Sequence, residues 1–171
     1  FTPDDILQLN QQKQSILTSI CAVNCQKVLN FLIKTFDLNL IKERLMKPEQ
    51  SMSYPLKRAI ESNHYNGVLK QIFNNDKFDL IKYKDHEQKT PLSICWNSSK
   101  GKCALLVLQN TQTWQERINM IEYSGDDKMT SLQYALETGC FELVEFIFNQ
   151  LDYNKKLKSK LLTCLLYTSP S

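Results

Sequence analysis

An all-α fold of short helices stacked in pairs is predicted by three observations. Apolar residues recur at three- and four-residue intervals, in stretches too short for long helices. Asn, Ser or Gly divides these stretches into pairs. The pairs themselves recur, starting near residues 15, 54, 90 and 130, at spacings of 39, 36 and 40 residues. A near-constant period of this size marks a repeat array. The 171-residue length suits such an array or one ordinary domain. Hydrophobic residues make up 42% and charged residues 23%, a globular balance that excludes wholesale disorder. Four Gly and five Pro exclude collagen-like and low-complexity chains.

The elements follow in order. The first pair opens at Ser15-Ile16-Leu17, turns at Asn24 and continues with Val28-Leu29 and Leu32-Ile33. Leu38, Ile41 and Leu45 then mark an extra linker helix. The second pair opens at Tyr54-Pro55-Leu56, turns at Asn63 and carries Val68-Leu69 and Ile72-Phe73. The third opens at Thr90-Pro91-Leu92 and ends on Leu105-Leu106-Val107-Leu108; its turn is Ser99 or the adjoining Lys100-Gly101. Trp114, Ile118 and Ile121 mark a second linker helix. The fourth pair opens at Thr130-Ser131-Leu132, turns at Gly139 and carries Leu143-Val144 and Ile147-Phe148. Lys155 to Lys160 reads as the polar side of an amphipathic helix backed by Leu157, Leu161 and Leu162.

Each column has a physical role. Ser or Thr before the helix is an N-cap, and Pro fits the first helical position, where no amide partner is needed. Leu17, Leu56, Leu92 and Leu132 are the first core anchors. Three residues on, Ile20, Ala59, Cys95 and Ala135 face the neighbouring helix, mostly with small side chains. Asn and Gly enter the left-handed region cheaply and so suit the turn. The second-helix stripes must be buried. Trp96 and Trp114 are expected to be packing residues.

This pattern resembles the ankyrin repeat, whose motif reads Thr-Pro-Leu-His, then Ala-Ala, a Gly turn and a Val-Val-x-x-Leu-Leu helix. Met129 to Phe148 fits without a gap, as does Ser15 to Ile33; the resemblance covers roughly residues 10 to 150. The second copy needs one inserted residue near Asn66-Gly67. No copy has His after the Leu: Thr18, Lys57, Ser93 and Gln133 stand there. The period also exceeds the family's usual length of about 33 residues. The resemblance therefore implies an ankyrin-like helical repeat solenoid of about four repeats, with extended inter-repeat linkers. It also implies a non-enzymatic module or scaffold that binds another protein on its concave face. Partner contacts would come from the finger tips and from two positions late in each first helix. In copy three these are His86, Glu87, Lys89, Asn97 and Ser98. In copy four they are Asp126, Asp127, Met129, Glu137 and Thr138.

Other chemistry finds little support. There is no phosphate-binding Gly-x-x-x-x-Gly-Lys-Ser/Thr, no Gly-x-Gly-x-x-Gly and no Gly-x-Ser-x-Gly elbow. A nucleophile pair of His64 or His86 with Cys95 or Cys103 conflicts with the packing column that Cys95 occupies. Six Cys without a Cys-x2-Cys pair argue for packed, reduced thiols rather than zinc, and so for a cytoplasmic protein. Asp126-Asp127 has too few oxygens for calcium. No cofactor, metal or small-molecule substrate is expected. A net charge of +3 is too small to imply nucleic acid, and no apolar run is long enough to span a membrane.

The last eight residues, Cys164 to Ser171, match one reading frame through a transposase-type sequencing adapter. Residues 164–171 are thus expected to be an adapter-derived tail, and residues 1–163 the repeat array, itself a fragment of a longer protein. On that view the array is alternatively the cytosolic regulatory arm of a larger enzyme or ion channel. If the anchor column is correct, Leu92→Ala and Leu132→Ala each lower unfolding stability by roughly 2–5 kcal/mol, measured by urea denaturation. Smaller losses at both sites would remove these leucines from the core.

Overall fold

The computed structural model describes residues 8–11, 13–49, 54–75, 83–85, 87–122, 129–152 and 154–167, the last four as backbone alone. Among them are eleven α-helices and no strand. The first pair is α1 (Ile16–Ala22) and α2 (Gln26–Thr35), followed by the linker helix α3 (Leu38–Met46). The second pair is α4 (Pro55–Glu61) and α5 (Val68–Phe73). The third is α6 (Pro91–Asn97) and α7 (Gly101–Gln109), followed by the linker helix α8 (Trp114–Glu122). The fourth is α9 (Ser131–Glu137) and α10 (Phe141–Leu151), and α11 (Lys155–Tyr167) follows it. An isolated antiparallel bridge joins Leu9 to Ser15.

Three of the four first helices begin with a side-chain cap. Ser15, Thr90 and Thr130 accept from the amides of Thr18, Ser93 and Gln133, each at 3.3 Å. Gln133 Oε1 returns the bond by accepting from the Thr130 amide at 2.7 Å, which completes a capping box. A cap of this kind contributes about 1 kcal/mol. Tyr54, in the same column, makes no cap bond. All four turns pass through the left-handed region, with φ of 58° at Asn24, 59° at Asn63, 53° at Ser99 and 64° at Gly139. Ser99 itself therefore makes the third turn. Gly101 is instead the first residue of α7.

Packing joins each pair internally and then joins pair to pair. Leu17, Leu56, Leu92 and Leu132 are all buried, as are Ile20, Ala59, Cys95 and Ala135. Burying a leucine contributes about 1.5–3 kcal/mol. Helix α1 packs on α4, and α4 on α6. Trp96 of α6 then stacks on Tyr134 of α9, with ring centroids 5.2 Å apart and planes 7° from parallel. The second helices touch in the order α2, α5, α7, α10. Two glycines sit at the closest approaches. Gly67 lies against Asn24, whose Oδ1 accepts from the Val68 amide at 2.9 Å. Gly101 lies against Thr138 and Cys140.

Both linker helices form where their stripes predict. Ile41 and Leu45 bury α3 against its neighbours α1, α2 and α4; Ile118 and Ile121 bury α8 against α9 and α10. Arg117 of α8 holds this corner. Its Nε and Nη2 donate to the carbonyls of Leu108 and Thr111, each at 3.0 Å, and its Nη1 donates to Gln150 Oε1 at 3.1 Å. The guanidinium also lies 5.7 Å from the Phe146 ring centre. It thus caps the end of α7, where the carbonyls of the last turn have no helical donor.

Several side chains depart from expectation. Trp114 opens α8 with its ring exposed, because the inward face belongs to Ile118 and Ile121. Leu162 is exposed beside buried Leu157 and Leu161. Val28 is also exposed, on a helix whose inward positions are Leu29 and Leu32. In α7 the buried stripe begins at Cys103 and Ala104, while Leu105 and Leu106 are half-buried. The Cys103 thiol points at the second turn, 3.5 Å from Asn63 Oδ1, and a small residue fits that approach.

Burial pushes the Cys21 thiol up to about 12, with the Glu49 carboxylate adding to it. Burial likewise pushes Cys103 up to about 12, against the opposing charge of Lys100. The ordinary value is 9.0, so between these limits the unfolded chain loses thiol protons that the folded chain keeps. Stability is therefore full below pH 9 and falls as pH rises towards 12, by up to about 1.4 kcal/mol per pH unit per thiol. Urea midpoints should hold steady through about pH 8.5 and drop by about pH 10.5, and Cys103→Ala should flatten the drop. A midpoint independent of pH would contradict the burial. Gly101→Ala would place a methyl group 2.5 Å from Thr138 Oγ1 and 2.6 Å from Cys140 Cβ. It should cost about 1–3 kcal/mol by the same measurement.

Candidate functional site

The most built-up exposed feature begins at a turn. Asp85 Oδ1 accepts from the amides of Glu87 at 2.9 Å and Lys89 at 2.8 Å. The Asp85 amide donates to the Lys89 carbonyl at 3.0 Å, and the Gln88 amide to the Asp85 carbonyl at 2.9 Å. Gln88 takes the left-handed conformation, with φ of 62°. A short acceptor side chain binding backbone ahead of itself is the way Asx turns form. Lys89 Nζ then pairs with Glu87 Oε2 at 2.7 Å across the tip.

The same turn occurs before the first pair. Asn10 Oδ1 accepts from the Gln14 amide at 3.0 Å, and the Asn10 amide donates to the Gln14 carbonyl at 2.8 Å. Lys13, with φ of 59°, donates its amide to the Asn10 carbonyl at 2.8 Å. In both places the acceptor stands five residues before the helix cap, Asn10 before Ser15 and Asp85 before Thr90.

Beside the Asp85 turn lies a groove of about 500 Å³, bounded by the turn, α6 and α8. Leu92, Trp96 and Met120 give it an apolar floor. Lys84, Gln88, Glu116 and Asn119 form a polar rim carrying both signs of charge. An apolar depression edged by a few polar groups is the usual form of a binding site.

The described residues singled out from the sequence fall in four places. Glu87 and Lys89 are brought together as the ion pair on the turn. Asn97 is exposed at the end of α6 and Ser98 is its half-buried C-cap, about 10 Å along the helix from the turn. Glu137 is exposed at the end of α9. Thr138 is half-buried and turned into the fold, its hydroxyl donating to the Ala135 carbonyl at 2.9 Å. Met129 is half-buried against the core. His86, Asp126 and Asp127 lie outside the described residues. Sequence reasoning did not single out Asp85, Gln88 or the groove. The available signal was the shared offset of Asn10 and Asp85 from their caps. Trp96 lines the groove floor and also stacks its face on Tyr134.

His64 and the buried thiols make contacts within the fold. His64 Nε2 lies 2.8 Å from the Ala22 carbonyl, joining the second turn to the end of α1. Burial holds the Cys95 thiol well above its ordinary range, with nearby Cys103 adding to the effect. Among the described residues, no three His, Cys, Asp or Glu gather as a metal site. Among them, too, no helix is long and apolar enough to cross a membrane. In the basic run, Lys158 pairs with Asp152 at 2.5 Å and Lys160 with Glu122 at 2.9 Å. No family model matches the chain, and no curated protein matches it.

Proposed function

We propose that this chain is an ankyrin-like helical repeat array that binds another protein, performing no chemistry itself. The partner docks on the side that carries the Asp85 turn and the adjoining groove. The observation that carries the reading is the recurrence of one unit in register. Turn acceptor, helix cap, buried leucine, left-handed residue and second helix follow one another in the first and third pairs alike. A unit of two short helices buries its stripe against its neighbours, and such stacks leave an extended edge for a partner. The groove supplies the apolar anchor site on that edge, and its mixed-charge rim supplies register.

The test is capture on the immobilised chain from a cell extract, followed by solution binding with each captured protein in purified form. At least one should bind, and Asn119→Trp, which crowds the groove from its exposed rim, should weaken it by about tenfold or more. The proposal fails if no purified protein binds, or if the crowded variant binds as well as the original chain.

A further inference from the structure

We propose that Tyr54 is a positioning residue for the turn that carries Glu87 and Lys89, and that it acts through Asp85. Where the other three pairs place Ser15, Thr90 and Thr130 to cap their own helices, the second pair has a tyrosine that caps nothing. Tyr54 is fully buried. Its hydroxyl reaches 31 residues along the chain and donates to Asp85 Oδ2 at 2.7 Å. The other oxygen of that carboxylate holds the Glu87 and Lys89 amides.

A carboxylate is planar, so anchoring one oxygen sets the direction in which the other points. Asp85 is itself buried, and its carboxyl oxygens are satisfied by these three donors. The phenol is a dependable donor. Burial, then the hydrogen bond to Asp85 and the Asp85 charge, hold its ionisation far above the usual tyrosine range. Being clamped in the core, the ring transmits the position of the second helical pair to the turn before the third. Without the hydroxyl, the carboxylate is free to rotate and the two amides lose a fixed acceptor. The importance of this turn for a partner rests on the binding reading above, whereas the coupling itself is read from the turn alone.

Amide hydrogen exchange on the whole chain tests it. Tyr54→Phe keeps the ring and removes the hydroxyl. It should speed exchange of the Glu87 and Lys89 amides about tenfold or more, while the Thr18 and Ser93 amides change by less than about twofold. Asp85→Ala should speed the same two amides at least as much, and the double variant should be no faster than Asp85→Ala. Asp85→Asn can accept from the turn amides and donate to the phenol oxygen, so it should exchange more slowly than Asp85→Ala. The inference is overturned if Tyr54→Phe leaves Glu87 and Lys89 unchanged, speeds all amides equally, or adds to Asp85→Ala. If Tyr54→Phe does not fold, the asparagine variant decides: exchange as fast as in Asp85→Ala overturns the proposal. Failure to find a protein partner would sink the binding reading and leave these rates standing.

Discussion

A helix of seven residues is not stable in water by itself. Its first turn costs more entropy than its few hydrogen bonds return, and isolated helices below roughly 12–15 residues are marginal. Helices α1, α4, α6 and α9 each have seven residues, so tertiary burial must hold them. The buried leucine near the start of each, and the stripe on its partner helix, supply that burial within the pair and against neighbouring elements. The contacts within and between pairs are therefore the condition for the helices to exist.

That condition sets strict demands where the pairs meet. The turn residue must allow the second helix to fold back at once, and all four turns do so in the left-handed region. Asn, Ser and Gly share the role, and Ser99, with neither the freedom of Gly nor the local hydrogen bonding of Asn, carries the strain of about 1–2 kcal/mol. The gap between pairs is then so narrow that side chains give way to backbone at Gly67 and Gly101. Polar links cross the same seams. Asn24 takes the Val68 amide, His64 meets the Ala22 carbonyl, and the Cys103 thiol faces Asn63. Each link is modest alone, at about 1 kcal/mol, but together they fix register, which apolar packing by itself would leave loose.

The extra linker helices shape the surface as well as the core. Helix α8 forms one wall of the groove with Glu116, Asn119 and Met120, opposite the turn centred on Asp85. Arg117, on the same helix, ties that wall to the ends of α7 and α10. The wall is thus held by hydrogen bonds from a residue that does not itself line the groove. A groove wall built this way is held in place before anything could enter the groove.

Much of the local structure was legible in the chain. Period, caps and turn residues act within a few residues of one another, and at Thr90, Thr130, Asn24 and Gly139 each local choice has one cheap solution. The linker helices were legible for the same reason, since a stripe needs only its own periodicity. What local pattern did not decide was how facing surfaces share space. Trp114 looked like a core residue by type and points outward, because two isoleucines already fill the seam. Cys103 and Ala104 are fully buried where Leu105 and Leu106 are not, and the Cys103 thiol faces the second turn. Tyr54 broke the capping column, and only the fold revealed that its hydroxyl serves a carboxylate 31 residues away. The groove arises in the same way, from a turn and two helices that no sequence window contains together. Short-range chemistry wrote the units, and the close packing of distant side chains decided their edges.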